Sequence, residues 1–215
     1  MSLSDEDTYA SNFGAYDDPI IQNVVSAILP VTSLRGQDEV KRDNQRVAAV
    51  MFPLVQRGES WNVILTQRPD TMPSHSGQIA FPGGKREFGE TTLNAALRET
   101  EEEIGIERHF VTIVGRLPSF NVISSFRVTP FIGLIDPEAV ITPDPYEVAD
   151  VFEVPLAFLM DAKNHVERTT FFDGKDHVMI DMPYTGGDGV FRNIWGMTAM
   201  TIYRLYERGF REKDI

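Results

Sequence analysis

The segment Arg98–Glu103 places four glutamates within five consecutive positions. Like charges at this spacing repel one another, so a helix here needs a compensating interaction. At roughly 100° per residue, Glu99, Glu102 and Glu103 share one arc of the helix surface. Glu101 falls outside that arc. A second arc carries side chains that can pack against a core, namely Leu93, Ala96, Leu97, Thr100 and Ile104.

This helix is predicted to pack one face and to present three carboxylates on another. Three carboxylates on a rigid face form an all-oxygen site, the ligand type that Mg²⁺ and Mn²⁺ prefer. Arg98 lies beside the arc and can hold a carboxylate through a bidentate contact. The alternative is a solvated charged face, as most Glu-rich helices have. The loop Phe81–Gly84 favours the metal site, because its glycines let backbone groups approach a metal or a phosphate.

Hydrophobic periodicity predicts the elements around this helix. In the first half we expect a helix from Asp18-Pro19 to Leu29, a hairpin of strands 46–54 and 61–68, a loop over 69–89, and a helix over 91–104 that Gly105 stops. In the second half we expect strands over 111–117, 126–135, 148–154, 166–172, 178–182 and 190–195, with helices at 155–160 and 197–208. Mixed strands with helices between them favour one α/β or α+β sandwich.

Composition limits the function classes. The chain has 215 residues, a formal net charge of −12 and no cysteine. An acidic surface repels a nucleic-acid backbone, so no nucleic acid is expected as a partner, whereas a bound divalent metal still admits a small anionic substrate. The lack of cysteine fits a reducing, cytoplasmic compartment.

The organisation of the chain is expected to be simple. No apolar run is long enough to span a membrane, and the first residues lack a signal-peptide pattern, so no membrane association is expected. Residues 1–16 are polar and acidic and are expected to be mobile, and residues 17–215 are expected to form a single domain.

The segment from Gly84 to Ile106 resembles the Nudix box of the Nudix hydrolase family. Every fixed Gly, Glu and Arg position of that motif is present, namely Gly84, Glu90, Arg98, Glu99, Glu102, Glu103 and Gly105. At about 6% usage for each residue, a chance match is on the order of 10⁻⁹ per starting position. Thr100 departs from the bulky aliphatic residue usual in the family. Because it lies on the packing face, we expect a small change in packing.

The resemblance implies an α/β/α sandwich with a mixed central sheet and a loop–helix–loop catalytic motif. It implies Mg²⁺ or Mn²⁺ bound by Glu99, Glu102, Glu103 and the Gly83 carbonyl, with Glu102 also counted among the catalytic residues. Arg98 is expected to act in catalysis by orienting Glu99. Structural support of the site falls to Glu90, Gly84 and Gly105.

The reaction implied is attack of water on one phosphorus of a diphosphate. The general base or an extra metal ligand is expected to come from an acidic residue later in the chain. Glu147, just before the strand predicted at 148–154, is the first choice, and Asp150 and Glu153 are the alternatives.

A second resemblance concerns the substrate. The residues Ile64–Arg68, Gly77 and Phe81–Gly84 are similar to the signature of the coenzyme A diphosphatase branch. It implies coenzyme A or acyl-coenzyme A as substrate, contacted by Arg68, Gly77 and Phe81, and a homodimer, which is common in the family. The products would be 4′-phosphopantetheine and adenosine 3′,5′-bisphosphate. For Arg68 the alternative is an ordinary surface charge at a strand end.

Two positions depart from this signature. Pro69 stands where the branch has Ser or Ala, and Pro73 stands where it has a second Arg. A cation at position 73 can meet a substrate phosphate and proline cannot. Other nucleoside diphosphate derivatives such as ADP-ribose are therefore the second enzyme hypothesis, and a catalytically silent Nudix-fold binding module is the third.

Overall fold

The computed structural model describes residues 18–31, 45–71, 76–122, 125–172 and 174–211. The segment 1–16 and Pro73 lie outside these residues. The strands are β1 (Arg46–Arg57), β2 (Ser60–Gln67), β3 (Ile79–Ala80), β4 (Gly83–Lys85), β5 (Val111–Arg116), β6 (Phe120–Asn121), β7 (Phe126–Ile135), β8 (Asp150–Pro155), β9 (Val166–Phe172), β10 (Lys175–Thr185) and β11 (Phe191–Ile194). The helices are α1 (Pro19–Ala27), α2 (Thr92–Ile104), α3 (Leu156–Leu159) and α4 (Gly196–Gly209).

Helix α1 begins where the sequence predicts. The Asp18 carboxylate accepts a hydrogen bond from the Ile20 amide at 2.8 Å, and Pro19 occupies the first turn. The prediction that this helix continues to Leu29 is wrong. Leu29 pairs instead with Arg116 through two backbone hydrogen bonds of 2.8 and 2.9 Å, so sheet-like pairing replaces the last helical turn.

The central sheet is mixed and is built around β1. Strands β1 and β2 form the predicted antiparallel hairpin, closed where Arg57 pairs with Ser60. On its other side β1 runs parallel to β7, from Arg46 opposite Phe126 to Val55 opposite Ile135. The outer strands β5 and β8 are antiparallel to β7 and β2, respectively.

Three short strands were not predicted. Strands β3 and β4 lie within the expected loop 69–89, where they pair with β2 and β1, and β6 pairs with β7. Segments of two or three residues are too short to show period-two alternation, and the two glycines of β4 have low strand propensity. Strand β4 nevertheless positions the Gly83-Gly84 backbone against the middle of the sheet.

Alternate residues of β1 face opposite layers of the molecule. Ala49, Met51 and Val55 join an apolar cluster that includes the buried face of α2. Val50, Phe52 and Leu54 join a second cluster whose helical members come from α1, α3 and α4. Helices therefore cover both faces of the sheet, and the predicted α/β/α sandwich is confirmed.

A smaller antiparallel sheet, in the order β11-β10-β9, follows in the chain. Arg192 of β11 ties it to the central sheet, because its guanidinium lies 2.7 Å from the Asp150 carboxylate and over the Phe152 ring of β8. Trp195 follows β11 and is 41% exposed, whereas Trp61 of β2 is 9% exposed. None of the helices within the described residues has the length and apolar character needed to cross a membrane.

Candidate active site

Helix α2 separates a packing face from an acidic face. Its packing face is the one predicted, since Leu93, Ala96, Leu97, Thr100 and Ile104 are all buried. The Thr100 hydroxyl donates to the Ala96 carbonyl at 2.7 Å, which satisfies it one turn back along the helix. At the C-terminus, Gly105 adopts the left-handed conformation with φ of 71° and ends the helix as expected.

Arg98 supplies the compensating charge that the glutamate run requires. Its guanidinium lies 3.0 Å from Glu90, 3.0 Å from Glu99 and 2.7 Å from Glu102, and it donates to the Lys85 carbonyl at 3.1 Å. The hydrogen bond from Arg98 lowers the pKa of Glu90, and the same contacts raise the pKa of Arg98. One arginine thus joins the loop that precedes α2 to two of the three carboxylates on its acidic arc.

Four glutamates border one pocket of about 480 Å³, namely Glu87, Glu99, Glu103 and Glu147. Glu103 is 3% exposed. It accepts a hydrogen bond from the Gly83 amide at 3.3 Å and lies 3.7 Å from the Arg68 guanidinium. Burial, reinforced by the charge of Glu99, raises the pKa of Glu103 to about 8. Burial also raises the pKa of Glu99, against the opposing effect of Arg98.

Because Gly84 has no side chain, the Glu99 carboxylate can occupy the space beside its Cα. A Cβ at position 84 would overlap the Glu99 carboxylate, so any other residue would push it out of place. A Cβ at Gly83 would come within 2.6 Å of the Val50 Cα. Both glycines therefore allow the loop backbone to approach the sheet and the acidic helix closely.

The structure does not bring every predicted residue into the pocket. The side chain of Glu102 is 56% exposed and bound to Arg98, and it is not among the residues that line the pocket. Phe81 is buried and stacks on Phe52 with ring centroids 4.6 Å apart, so we correct its expected substrate contact to a role in the core. Gly77 lies in the turn beside Asp70, where a Cβ would meet the Asp70 carboxylate at 2.7 Å.

Among the candidates for the base, only Glu147 lines the pocket. Asp150 is paired with Arg192 at 2.7 Å, and Glu153 is paired with Arg57 at 2.8 Å. Strand β8 begins at Asp150, two residues later than predicted, because the Val148 amide closes a turn onto the Asp144 carbonyl at 2.8 Å. Glu147 therefore lies on a turn rather than at the edge of a strand.

Sequence reasoning missed three residues that line the pocket, Lys85, Arg86 and Glu87. They directly follow Gly84, and this position in the motif loop was the available signal. Arg68 also lines the pocket, which favours its predicted contact with an anion over an ordinary surface charge. The pocket is thus lined by acidic groups from α2 and by both cationic and acidic groups from outside that helix.

The donor set fits a hard divalent cation. Glu103 is a buried carboxylate whose nearest cation, Arg68, is 3.7 Å away, so added positive charge would stabilise its ionised form. Within the part of the chain that the structure describes, no group of three acidic or histidine side chains is arranged to hold a metal ion as it stands. A cation would take carboxylate ligands here and complete its shell with backbone oxygen, water or phosphate, as Mg²⁺ usually does.

Comparison with known proteins agrees with this geometry. The NUDIX domain family model matches residues 44–173. A Nudix hydrolase NudL of Cronobacter sakazakii is 43% identical over 173 residues, which cover 80% of this chain and 87% of that protein. The NudL protein of Photorhabdus laumondii is 35% identical over 167 residues, which cover 77% and 86%.

A solved structure shares the fold. The MutT/nudix family protein from Enterococcus faecalis superposes with a TM-score of 0.53 at 19% identity, over 80% of this chain and 64% of that one. The matched range 44–173 contains the pocket, α2 with its Arg98 network and the turn that carries Glu147. This chain therefore belongs to the Nudix hydrolase family, whose members act on phosphorus-containing anhydrides and generally use divalent metal ions such as Mg²⁺ or Mn²⁺.

Proposed function

We propose that this protein hydrolyses the diphosphate bond of coenzyme A or acyl-coenzyme A with the help of Mg²⁺ or Mn²⁺. The products are 4′-phosphopantetheine, or its acylated form, and adenosine 3′,5′-bisphosphate. The observation that carries the reaction type is the pocket itself, which is lined by Glu99, Glu103 and Glu147 together with the cationic side chains of Arg68, Lys85 and Arg86. Carboxylates can bind the divalent metal, and the cationic side chains can bind the phosphates of the substrate.

The proposed metal ligands are Glu99, Glu103, Glu102 and the Gly83 carbonyl. Glu99 and Glu103 border the pocket, whereas Glu102 reaches it only if it leaves Arg98. A bound divalent metal supplies positive charge for the transferring phosphoryl group and acidifies water. Arg98 holds the Glu99 carboxylate at 3.0 Å and so fixes its direction toward the pocket.

The protein's own groups account for the remaining steps. The water oxygen forms a bond to one phosphorus, and the bond from that phosphorus to the bridging oxygen breaks. The bridging oxygen leaves with the other phosphate, and Glu147 accepts one proton of the attacking water. Arg68, Lys85 and Arg86 line the same pocket and neutralise the phosphates of the bound substrate.

Support for coenzyme A as the substrate comes from the signature around the pocket. Three residues of that signature line the pocket, namely Arg68, Gly83 and Gly84, and the Arg68 guanidinium lies 3.7 Å from Glu103. Pro69 and Pro73 depart from the signature, and Pro73 lies outside the described residues. A homodimer, which the family resemblance implies, and a cytoplasmic location, which the lack of cysteine fits, are also part of the proposal.

Three glutamine variants test the ligand assignment. Glu103→Gln is expected to lower kcat by two or more orders of magnitude, because it removes the buried carboxylate from the metal site. Glu101→Gln is the matched control, since Glu101 is exposed on the same helix outside the acidic arc. Glu102→Gln distinguishes two roles. A loss as large as that of Glu103→Gln makes Glu102 a metal ligand, and near-normal activity leaves it as a partner of Arg98.

Product analysis tests the substrate. The metal-loaded protein is incubated with coenzyme A, an acyl-coenzyme A, ADP-ribose and NADH, and the products are separated by chromatography. We expect adenosine 3′,5′-bisphosphate from the first two with the highest kcat/KM. Faster cleavage of ADP-ribose would overturn the coenzyme A assignment, and no turnover of any compound would favour a silent binding module.

The signature loop allows a gain-of-function test. Pro73→Arg restores the cation that the coenzyme A branch carries at this position. We expect it to lower the KM for coenzyme A and to leave the kcat for ADP-ribose unchanged. An unchanged KM would show that Pro73 does not limit this substrate.

A further inference from the structure

The turn that carries Glu147 is attached to the C-terminal end of α2. The last carbonyls of a helix have no partner within the helix. Here the Glu103 carbonyl accepts from the Asp144 amide at 3.0 Å, and the Ile104 carbonyl accepts from the Thr142 amide at 2.8 Å. The loop therefore caps the helix through the backbone of Glu103, whose side chain enters the pocket.

Asp144 joins this attachment to Glu147. Its carbonyl accepts hydrogen bonds from the amides of Glu147 at 3.1 Å and Val148 at 2.8 Å. Its carboxylate accepts from the Tyr146 amide at 2.9 Å. Pro145 restricts the backbone between these bonds. One residue thus bonds to α2 on one side and shapes the three residues that follow Pro145 on the other.

Glu147 lines the same pocket as the carboxylates of Glu99 and Glu103. Its negative charge acts unfavourably on both Glu99 and Glu103. Its own side chain is exposed, so burial does not hold it in place. The backbone of the turn therefore sets the position of the Glu147 side chain.

We infer that Asp144 is a positioning residue for Glu147, because its carboxylate fixes the shape of the turn 144–148 that its backbone bonds to the end of α2. The inference rests on the proposed function for the role of Glu147. The turn itself is independent of that function. Asp144 does not line the pocket, and its proposed effect is exerted through the position of Glu147.

The chain contains a matched control for this turn. Asp136-Pro137-Glu138 has the same Asp-Pro pattern, and the Glu138 amide donates to the Asp136 carboxylate at 2.9 Å. Asp136 is exposed and does not line the pocket. Asp136→Ala therefore removes the same kind of hydrogen bond from a turn that carries no pocket residue.

The experiment compares Asp144→Ala, Asp144→Asn and Asp136→Ala in the full chain. Kinetics with coenzyme A and Mn²⁺ binding by electron paramagnetic resonance are measured for each. Asp144→Ala is expected to lower kcat about 10–100-fold with little change in KM, a range typical of residues that orient metal-site groups. Asp144→Asn keeps an acceptor for the Tyr146 amide and should recover most of the activity. Asp136→Ala should match the wild type.

Hydrogen exchange makes the test independent of turnover. In Asp144→Ala the amides of Tyr146, Glu147 and Val148 should exchange at least tenfold faster, and in Asp136→Ala they should not. Equal kinetics and equal exchange in the two alanine variants would overturn the inference. If the wild type cleaves no diphosphate, the proposed function fails, and exchange together with Mn²⁺ affinity still decides the role of Asp144. Should Asp144→Ala not fold, Pro145→Gly loosens the same turn and carries the test.

Discussion

Glu103 combines deep burial with a position among other carboxylates. Its pKa of about 8 means that the folded protein without metal holds a proton there at neutral pH. The unfolded chain, with an ordinary glutamate pKa near 4.5, has released that proton. Between these two values the folded state binds more protons than the unfolded state, so rising pH favours unfolding. A divalent metal reverses the preference because it takes the place of the proton.

In the presence of a chelator, the raised pKa of Glu103 should make the stability of the protein depend on pH. The free energy of unfolding of the metal-free wild type should fall as pH rises from about 5 to 8, by at most about 1.4 kcal/mol per pH unit from Glu103. Glu103→Gln removes this dependence, so the difference between the two proteins should shrink as pH falls. Urea denaturation at pH 5, 6, 7 and 8 measures it. Parallel curves for the two proteins would contradict the raised pKa, and added Mn²⁺ should stabilise the wild type most at the highest pH.

Helix α2 is the element on which the site depends, and its C-terminus connects two sides of the pocket. Gly105 ends the helix in the left-handed conformation, and a Cβ there would also meet the Thr142 carbonyl at 2.7 Å. Position 105 therefore carries two constraints, one on its own backbone and one on the loop that leads to Glu147. Gly58, in the β1–β2 turn, carries only the first, since its φ is 62° and a Cβ there meets nothing within 4 Å.

Replacing each of these two glycines with alanine separates the backbone constraint from the contact with the loop that leads to Glu147. Both Gly58→Ala and Gly105→Ala should destabilise the protein by about 1–2 kcal/mol through backbone strain. Gly105→Ala should in addition lower kcat, because it displaces loop 142–148, whereas Gly58→Ala should leave kcat unchanged. Thermal unfolding and steady-state kinetics provide the two readouts. Equal kcat values would show that the loop accommodates the methyl group without moving Glu147.

At the scale of the whole molecule, two sheets are held together by a few polar contacts and a shared core. Arg192 is buried, and besides Asp150 it bonds to Asp188 at 2.8 Å. The guanidinium of Arg168, in contrast, forms an exposed pair with Asp181 within the small sheet, at 3.0 Å. Hydrogen bonds from a buried guanidinium contribute more to stability than fully exposed ion pairs do.

We therefore expect substitutions at these two arginines to change the free energy of unfolding by different amounts. Arg192→Leu should lower the free energy of unfolding by about 1–2 kcal/mol, as expected for lost hydrogen bonds to charged groups. Arg168→Leu should leave it nearly unchanged. Guanidinium denaturation of both variants measures the difference, and similar losses would show that the tie between the sheets lies elsewhere.

Much of the fold could be predicted from the sequence because its long elements carry strong periodicity. The bounds of β7 and β9 match the prediction, and α2 matches to within one residue at its start. The short strand β4 could not be predicted, since its pairing depends on β1, which lies more than thirty residues earlier in the chain. Long-range pairing of so short a segment leaves no local pattern.

The candidate site, like the fold, could be predicted from the sequence only in part. Helical geometry assigns Glu99, Glu102 and Glu103 to one arc, but it does not say how far the loop 83–87 covers that arc. In the structure the loop reaches Glu99 and Glu103 and leaves Glu102 exposed. Lys85 and Arg86 were missed because charged residues in a loop are ordinary, and only the position of that loop brings them to the pocket.

Each sheet has its own optical reporter, because the chain contains two tryptophans in different surroundings. Trp61 lies in the central sheet and is shielded, and Trp195 follows the last strand of the small sheet and is open to solvent. Acrylamide should quench the fluorescence of Trp195 first, and Trp195→Phe leaves the central sheet as the sole emitter. Coincident fluorescence transitions in the wild type and in Trp195→Phe would identify one cooperative unit. Separate transitions would mean that the small sheet can open while the pocket stays intact.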